Sequence, residues 1–486
     1  MDLIIAIDLG TSFIKLLAYD RNLHIRHRVI CAVDVISPAP GYQELDPDKI
    51  AEDTQASLQK LYTKCTGDTI LAICFSSAMH SIFPVDNHNR PLYNALIWSD
   101  HRASEIAGNV KRSKQSKQLY IDTGTPLHPM SPLFKIMCFY QHEPEMFNNT
   151  VRFISLKEYI IKNWFGDYLI DYSTASATGL FNIHNLTWNK NALQLAEITP
   201  GMLSKPVPVN TNVHGARVDS ISPRIIPADV PVYIGSTDGC LAVTGAGFKN
   251  QHHLSVTIGT SSAVRVAVDK PVPDEHGRTF NYYFNSNLYV TGAPSNNGGN
   301  IFEWIYNLLK FKNINTNDSS FTEIIDNILT RVKKGPDGLL FLPYIFGERA
   351  PLWDPEATGM FYGISPRHTA EHFMKAAIEG VMMNLRLNSE LLPVKDLTPV
   401  MLSGGAFRIR VLPQMISNIF NKVVSLSDEV ELSAKGAAML ACESLGVAVP
   451  DPNDSVITCT PDPEKADNYE QLFIAFKKLY GKYEAY

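Results

Sequence analysis

The chain has 486 residues, 45% of them hydrophobic and 19% charged, with 43 Lys plus Arg against 49 Asp plus Glu and a formal net charge of −6. That is enough apolar material for real cores, and it excludes a disordered chain. It also gives no electrostatic reason to expect nucleic acid or an anionic membrane as a partner.

At ~150 residues per domain the length suggests two or three domains, or two large ones. The seven cysteines (Cys31, Cys65, Cys74, Cys138, Cys240, Cys442 and Cys459) are scattered and form no CxxC pair. Reduced, mostly buried thiols in a cytoplasmic protein are expected, not a disulfide framework or a zinc site. The opening Met1-Asp2-Leu3-Ile4-Ile5 has no basic n-region, so no signal peptide is expected. No apolar run approaches the ~18 residues of a membrane span.

The first predicted element is a hairpin. Ile5-Ala-Ile-Asp-Leu-Gly-Thr-Ser-Phe-Ile-Lys-Leu-Leu-Ala-Tyr-Asp20 reads as an apolar strand, a Gly-Thr-Ser turn and a second strand. In such a turn Gly10 admits a phosphate close to backbone N–H groups. Thr11 adds a hydroxyl donor, and Asp8 can hold a hydrated Mg²⁺. An Asp-x-Gly turn also forms without any ligand. Ile70–Phe75 reads as a strand and leads into Ser76-Ser-Ala-Met-His-Ser81. With Trp98-Ser-Asp-His-Arg102 and His128-Pro-Met130 this makes a polar constellation. Asp and His bind vicinal hydroxyls, Trp stacks on a sugar face, and Arg or His meets a carboxylate. The plain structural alternatives are a satisfied core histidine at 80, ordinary packing at Trp98 and a weak surface pair between Asp100 and Arg102.

A strand at Val230–Ile234 leads to Gly235-Ser-Thr-Asp-Gly-Cys240. Asp238, at the strand's carboxyl end, can take the proton of a substrate hydroxyl, or can simply cap a helix. The small residues of Gly245-Ala-Gly-Phe-Lys-Asn250 mark an expected boundary between domains 1–246 and 247–486. Directly after it, Leu254-Ser-Val-Thr-Ile-Gly-Thr-Ser-Ser-Ala-Val-Arg-Val-Ala-Val-Asp269 repeats the first hairpin. Gly10, Thr11, Ser12, Ala18 and Asp20 meet Gly259, Thr260, Ser261, Ala267 and Asp269 without a gap, at an offset of 249 residues. A match at half the chain length argues for duplication. Two such turns facing each other would grip a polyphosphate from both sides. No GxxxxGK[ST] sequence occurs, so a P-loop kinase is unsupported.

Further on, Ser295-Asn-Asn-Gly-Gly299 precedes an apolar helix containing Trp304. Ala370–Leu392 reads as a long helix stopped by Pro393, and Val400–Leu402 as a strand entering Ser403-Gly-Gly-Ala406. Glycine-rich turns before helices leave room for a nucleotide. Strands mixed with helices give an α/β class.

Two longer stretches resemble the signatures of the FGGY family of carbohydrate kinases. Met130-Ser-Pro-Leu-Phe-Lys-Ile-Met-Cys138 is similar to the first, with Cys138 where a Trp is usual. Gly359-Met-Phe-Tyr-Gly-Ile364, followed by His372-Phe-Met-Lys-Ala-Ala-Ile-Glu379, is similar to the second in full. The resemblance runs from about residue 3 to residue 446. It implies two duplicated actin-like/ribonuclease H-like ATPase domains flanking an active-site cleft. It also implies roles: Asp238 as catalytic base, Asp8 and Asp238 near Mg²⁺, and Thr11 and Thr260 on the phosphates. Gly299, Gly405 and Ala406 would contact the nucleotide, and Met79, His80, Trp98, Asp100, Arg102 and His128 the sugar. Ile409 sits where some relatives carry an Asn near adenine.

Within the family, Ser76-Ser-Ala-Met-His-Ser81, Gly124-Thr-Pro-Leu-His-Pro-Met130, Asp171-Tyr-Ser173 and Gly347-Glu-Arg-Ala-Pro-Leu-Trp353 are most similar to the gluconokinases. A xylulose kinase would more typically read Gly-Gln-Met-His-Gly near residue 80, and a glycerol kinase Arg-Glu in place of Met79-His80. The implied reaction is phosphorylation of the terminal hydroxyl of D-gluconate to 6-phospho-D-gluconate, with ATP and Mg²⁺. Arg102, His80 or His128 would balance the substrate carboxylate. The alternatives are a kinase for another polyol or ketose such as D-xylulose and, in a different class, a nucleotide-gated ATPase of the actin or chaperone kind. The expected partners are the sugar acid and ATP, with neither nucleic acid nor membrane; a homodimer is compatible with the sequence.

Overall fold

The computed structural model describes residues 1–213, 226–247, 253–285, 288–309, 320–332, 338–394, 396–427, 431–449 and 456–484. Residues 248–250 of the expected boundary segment lie outside the described residues. The chain packs into two compact units. One holds 1–249, 268–290 and 431–452, and the other holds 250–267, 291–430 and 453–486.

The sheet of the first unit runs Val232–Thr237, Thr69–Ser77, Asp2–Leu9, Phe13–Asp20, Ile25–Ala32 in spatial order. Its middle strands are near-continuous apolar runs because both faces are covered. Leu3 to Ile7, for example, are all buried. The edge strand Ile25–Ala32 instead alternates half-buried and exposed residues. Helix Pro47–Lys64 starts where Asp46 accepts from the N–H groups of Asp48 and Lys49, and it buries Ile50, Thr54, Leu58 and Leu61 along one stripe.

The first three of these strands are parallel, and their register sets the site. Asp8 lies opposite Ser76 and Leu9 opposite Ser77; from the other side Ser236 and Thr237 face the same two serines. The Val232–Thr237 register slips between Tyr233 and Ser236. Gly235 makes the slip: its φ is +70°, and a Cβ there would lie 1.7 Å from the Phe75 carbonyl oxygen. The three carboxyl ends therefore finish together, at Gly10, Ala78 and Asp238.

Helix Leu432–Leu445 closes this unit from far along the chain. It packs on helix Asp238–Gly245 so tightly that a Cβ on Gly245 would lie 2.0 Å from Leu432 O, and one on Gly436 2.1 Å from Leu241 O.

In the second unit, four consecutive strands repeat the order of the first: Val424–Ser427, Val400–Ser403, Leu254–Ile258, Ser262–Val268. Again the first three are parallel and the last two form an antiparallel hairpin. Phe13 and Ser262, equivalent in the repeat, each begin a second strand. The hairpins differ by one residue in pairing: Leu9 faces Ile14, whereas Ile258 faces Ser262.

The predicted helix at Ala370 spans Ala370–Ser389, short of the expected Leu392, because the Ser389 hydroxyl folds back onto Arg386 O and the chain turns before Pro393. It is buried all round from Met374 to Leu385 rather than along one face. Its polar side chains find partners inside: Lys375 on Val332 O and Glu379 on Tyr469.

Candidate active site

Asp8 is buried at the end of its strand, and its Oδ1 accepts from the Ser76 hydroxyl at 2.6 Å. Burial pushes its carboxyl above the usual range, outweighing Ser76 and the nearby Lys15. Lys15, directly across the hairpin from Asp8, is paired at 2.6 Å with Glu431, at the start of helix Leu432–Leu445. Gly10 N–H donates to Phe13 O and closes the turn, which leaves Thr11 half-buried. Asp238 opens helix Asp238–Gly245, half-buried at the neighbouring strand end. Its Oδ1 accepts from Gly239 N at 2.6 Å, and its backbone carbonyl accepts from the Ser433 hydroxyl at 3.1 Å. Two strand spacings, about 10 Å, separate the Asp8 and Asp238 strands. An Asp at the carboxyl edge of parallel strands stands where open α/β sheets bind ligands. Behind it, Ser173 Oγ lies 3.0 Å from Thr237 Oγ1, both fully buried.

The sugar-side candidates meet this edge. Trp98 Nε1 donates to Thr11 Oγ1 at 3.4 Å and links the first hairpin turn to the polar cluster. Asp100 and Arg102 do not form the surface pair that the local sequence allows. Asp100 is fully buried, with both carboxylate oxygens taken by Arg102 and Gln43 N–H. The Arg102 guanidinium also donates to Glu44 and to Tyr93 OH, and stacks 4.2 Å from the centre of the Tyr42 ring. Burial works to lower the Arg102 pKa, but the bonds to Asp100 and Glu44 hold it above its ordinary value.

His80 is buried in the left-handed region, with φ +70°, beside half-buried Met79. Its Nδ1–H donates to Ala177 O at 2.8 Å, and its Nε2 lies 3.5 Å from Tyr282 OH. His128 Nδ1 accepts from Met130 N, which leaves the ring proton on Nε2; the ring meets His101 edge-on at 5.9 Å.

Lys135, inside the first signature, is fully buried on helix Pro132–His142. Its ammonium donates to His80 O at 2.8 Å, Ile97 O at 2.7 Å and Leu96 O at 3.4 Å. Burial pulls its pKa down to about 7.

In the second unit, the hairpin turn carries exposed Thr260. Helix Gly299–Leu308 starts on top of this turn: Gly299 N–H donates to Gly259 O at 2.7 Å and Asn300 N–H to Thr260 O at 3.1 Å. A Cβ on Gly298 would sit 2.6 Å from the Ser261 carbonyl carbon, so glycine is needed for this seating. Gly404, at φ +108°, approaches Ile258 O, while Gly405 has no neighbour within 4 Å of where its Cβ would be. Half-buried Ala406 follows. Open backbone at a helix start suits a nucleotide. Ile409 is buried in the core, so the departure there is a matter of packing.

The turn before Gly299 is held by Glu348. Its buried carboxylate accepts from Ser295 Oγ, Asn296 N, Asn297 Nδ2, Arg349 N and Asn384 Nδ2. Burial pushes it up to about 7 against those donors. Sequence reasoning gave no role to Lys135, Glu44, Glu431 or Glu348. A lysine amid the apolar Pro132–His142 helix was the one local signal; the others act on partners far along the chain.

The model of the FGGY family of carbohydrate kinases, N-terminal domain, matches residues 3–245, and that of the C-terminal domain matches 254–445. The chain belongs to the FGGY family of carbohydrate kinases. It is a sugar kinase that uses ATP as phosphate donor, with the family's two-domain actin-like fold. It is 35% identical to a gluconokinase of Bacillus subtilis (strain 168), over 98% of this chain and 95% of that protein. The crystal structure of gluconate kinase from Lactobacillus acidophilus superposes with a TM-score of 0.91 at 29% identity, covering 100% of this chain and 98% of that one. The structure of ligand-bound xylulose kinase from the same organism matches at 0.91 and 29%, covering 99% and 98%. No helix among the described residues is long and apolar enough to cross a membrane.

Proposed function

We propose that this FGGY kinase transfers the γ-phosphoryl group of ATP to the terminal hydroxyl of D-gluconate, giving 6-phospho-D-gluconate and ADP. The observation that carries the substrate is the higher identity to the gluconokinase of Bacillus subtilis, 35% along almost the whole chain, against 29% over a similar span to a xylulose kinase of Staphylococcus epidermidis.

In this reading Asp238 accepts the hydroxyl proton as the oxygen attacks phosphorus. A base contributes modestly here; positioning and charge neutralisation contribute more. Thr11 and Thr260 hold the phosphates, and Gly299, Gly405 and Ala406 hold the nucleoside. Met79, His80 and Trp98 orient the sugar acid, while Asp100, buried with both oxygens occupied, acts by holding Arg102 and the Gln43 backbone. Arg102 is spent on Asp100 and Glu44, so its part is to neutralise them, and the substrate carboxylate falls to His80 or His128.

Asp8 offers one buried carboxylate, and no group of three or more His, Cys, Asp or Glu that could hold a metal occurs among the described residues. That donor set fits Mg²⁺, which keeps its waters and binds through one or two carboxylates plus substrate phosphates. Asp8 and Asp238 would hold it through water, where it would neutralise phosphate charge. A cation beside Asp8 would also reverse the upward push of burial on that carboxyl. A cytoplasmic setting agrees with seven cysteines that form no disulfide.

The test is a coupled ADP assay over gluconate, xylulose, glycerol and related polyols. A gluconate preference of at least about 100-fold in kcat/KM, roughly 2.7 kcal/mol, is expected. A preference for a neutral ketose would sink the assignment, and ATP turnover indifferent to any sugar would return the reading to a nucleotide-gated ATPase.

A further inference from the structure

Lys135 is the feature that the proposed chemistry leaves unused. A lysine is rarely fully buried unless paired with an acid, yet the hydrogen bonds of this ammonium run to three backbone carbonyls. Those carbonyls come from two separate segments. His80 O belongs to the loop after strand Thr69–Ser77, and Leu96 O and Ile97 O immediately precede Trp98. An ammonium with its hydrogens on carbonyls from both segments fixes the spacing between them.

Two further observations support a clamp over a simple filler. His80 is a non-glycine residue in the left-handed region, a conformation that persists only where the surroundings over-determine it. Here its carbonyl is held by Lys135 and its ring by Ala177 O. The second segment ends in Trp98, bonded to Thr11, and in Asp100, wrapped by Arg102. His80 on one segment thus sits on backbone that Lys135 bonds, and Met79 and Trp98 sit one residue away from it.

We propose that Lys135 is a positioning residue for the sugar acid: it holds the Met79–His80 loop and the Trp98–Arg102 loop at the separation that binds substrate, and it does not act on the nucleotide. This rests on the reading that those two loops face the sugar.

The experiment compares Lys135→Met, which keeps the length and apolar stem and removes all donors, with Lys135→Gln, which keeps two donor hydrogens. Both are assayed as full-length enzyme with gluconate and ATP varied separately. Lys135→Met is expected to raise KM for gluconate at least tenfold, with KM for ATP changed less than twofold and kcat reduced less than threefold. Lys135→Gln is expected to fall between it and wild type. A gluconate KM within twofold of wild type in soluble Lys135→Met overturns the proposal. So does an equal loss for both substrates, or insolubility of both variants, because either marks a general structural role. Met79→Ala and Trp98→Ala are run beside them. If neither moves the gluconate KM, the assignment of these loops to the sugar has failed; if they do and Lys135→Met does not, only the clamp has failed.

Discussion

Ser76 donates its hydroxyl hydrogen to Asp8 across a parallel strand pair, and at Thr257, the residue equivalent to Asp8 in the repeat, Ser403 takes the same register with its hydroxyl 3.0 Å from the Thr257 hydroxyl. The duplicated node keeps its geometry and loses its charge. Even the neighbouring cation recurs in kind: Lys15 lies opposite Asp8, and Arg265 donates to Thr257. In the proposed function both reacting carboxylates, Asp8 and Asp238, therefore belong to the first copy, and the second contributes the neutral groups of Thr260, Gly299, Gly405 and Ala406.

Asp8→Asn preserves the shape and the Ser76 bond but removes the charge. We expect kcat to fall at least about 100-fold, a loss in the range assigned to a single catalytic electrostatic contact. Because burial already disfavours the ionised form, Tm is expected to stay equal or rise. A kcat within a few-fold of wild type at any Mg²⁺ concentration would remove Asp8 from the site.

Asp238→Asn removes both the proposed base and one of the two carboxylates proposed near Mg²⁺, so it is expected to lower kcat by about 10²–10⁴-fold with little change in either KM. The check is steady-state kinetics with gluconate and ATP; near-normal turnover rejects the base.

Ser173→Ala deletes the hydroxyl that bonds Thr237, the residue before Asp238. The expected cost is about 1 kcal/mol of stability and a roughly tenfold drop in kcat, without the change in gluconate KM expected of Lys135→Met. Unchanged kcat would show that Asp238 needs no such support.

Glu348 gives the pH dependence. Its folded value of about 7 lies above the ordinary 4.5. The stability it contributes is fully present below about 4.5 and is lost as pH rises through about 7. The full span is on the order of 3 kcal/mol. Glu348→Gln turns an amide toward some of five donors, so it is expected to lower Tm and to raise KM for ATP through the 295–299 turn. The Tm gap between wild type and variant should narrow as pH rises from 4.5 to 8. A gap independent of pH would mean that Glu348 does not titrate in this window.

Much of this was legible in the sequence, for a reason: a hairpin is local, and its apolar strands and Gly-Thr turn write themselves into consecutive residues. So Phe13 and Ser262 could be matched, and Asp238 placed at a strand end, before any coordinates. The Arg102 environment could not. Its partner Glu44 is 58 residues away, and nothing local distinguishes a guanidinium wrapped by two buried acids from one waiting for a substrate. Lys135 showed only as a lysine amid an apolar helix; its partners stayed hidden because backbone carbonyls have no sequence signature. The slip at Gly235 needed the neighbouring strand to be seen at all.

Helix Leu432–Leu445 lies on the first sheet and against the helix that Asp238 opens. A ribosome making this protein releases the strands carrying Asp8 and Asp238 long before it makes that helix. At ~5–20 residues per second the delay is roughly 10–40 s. Through that interval the small-residue face around Gly245 has no partner, and the nascent first half must wait, open to chaperones, for its own last piece.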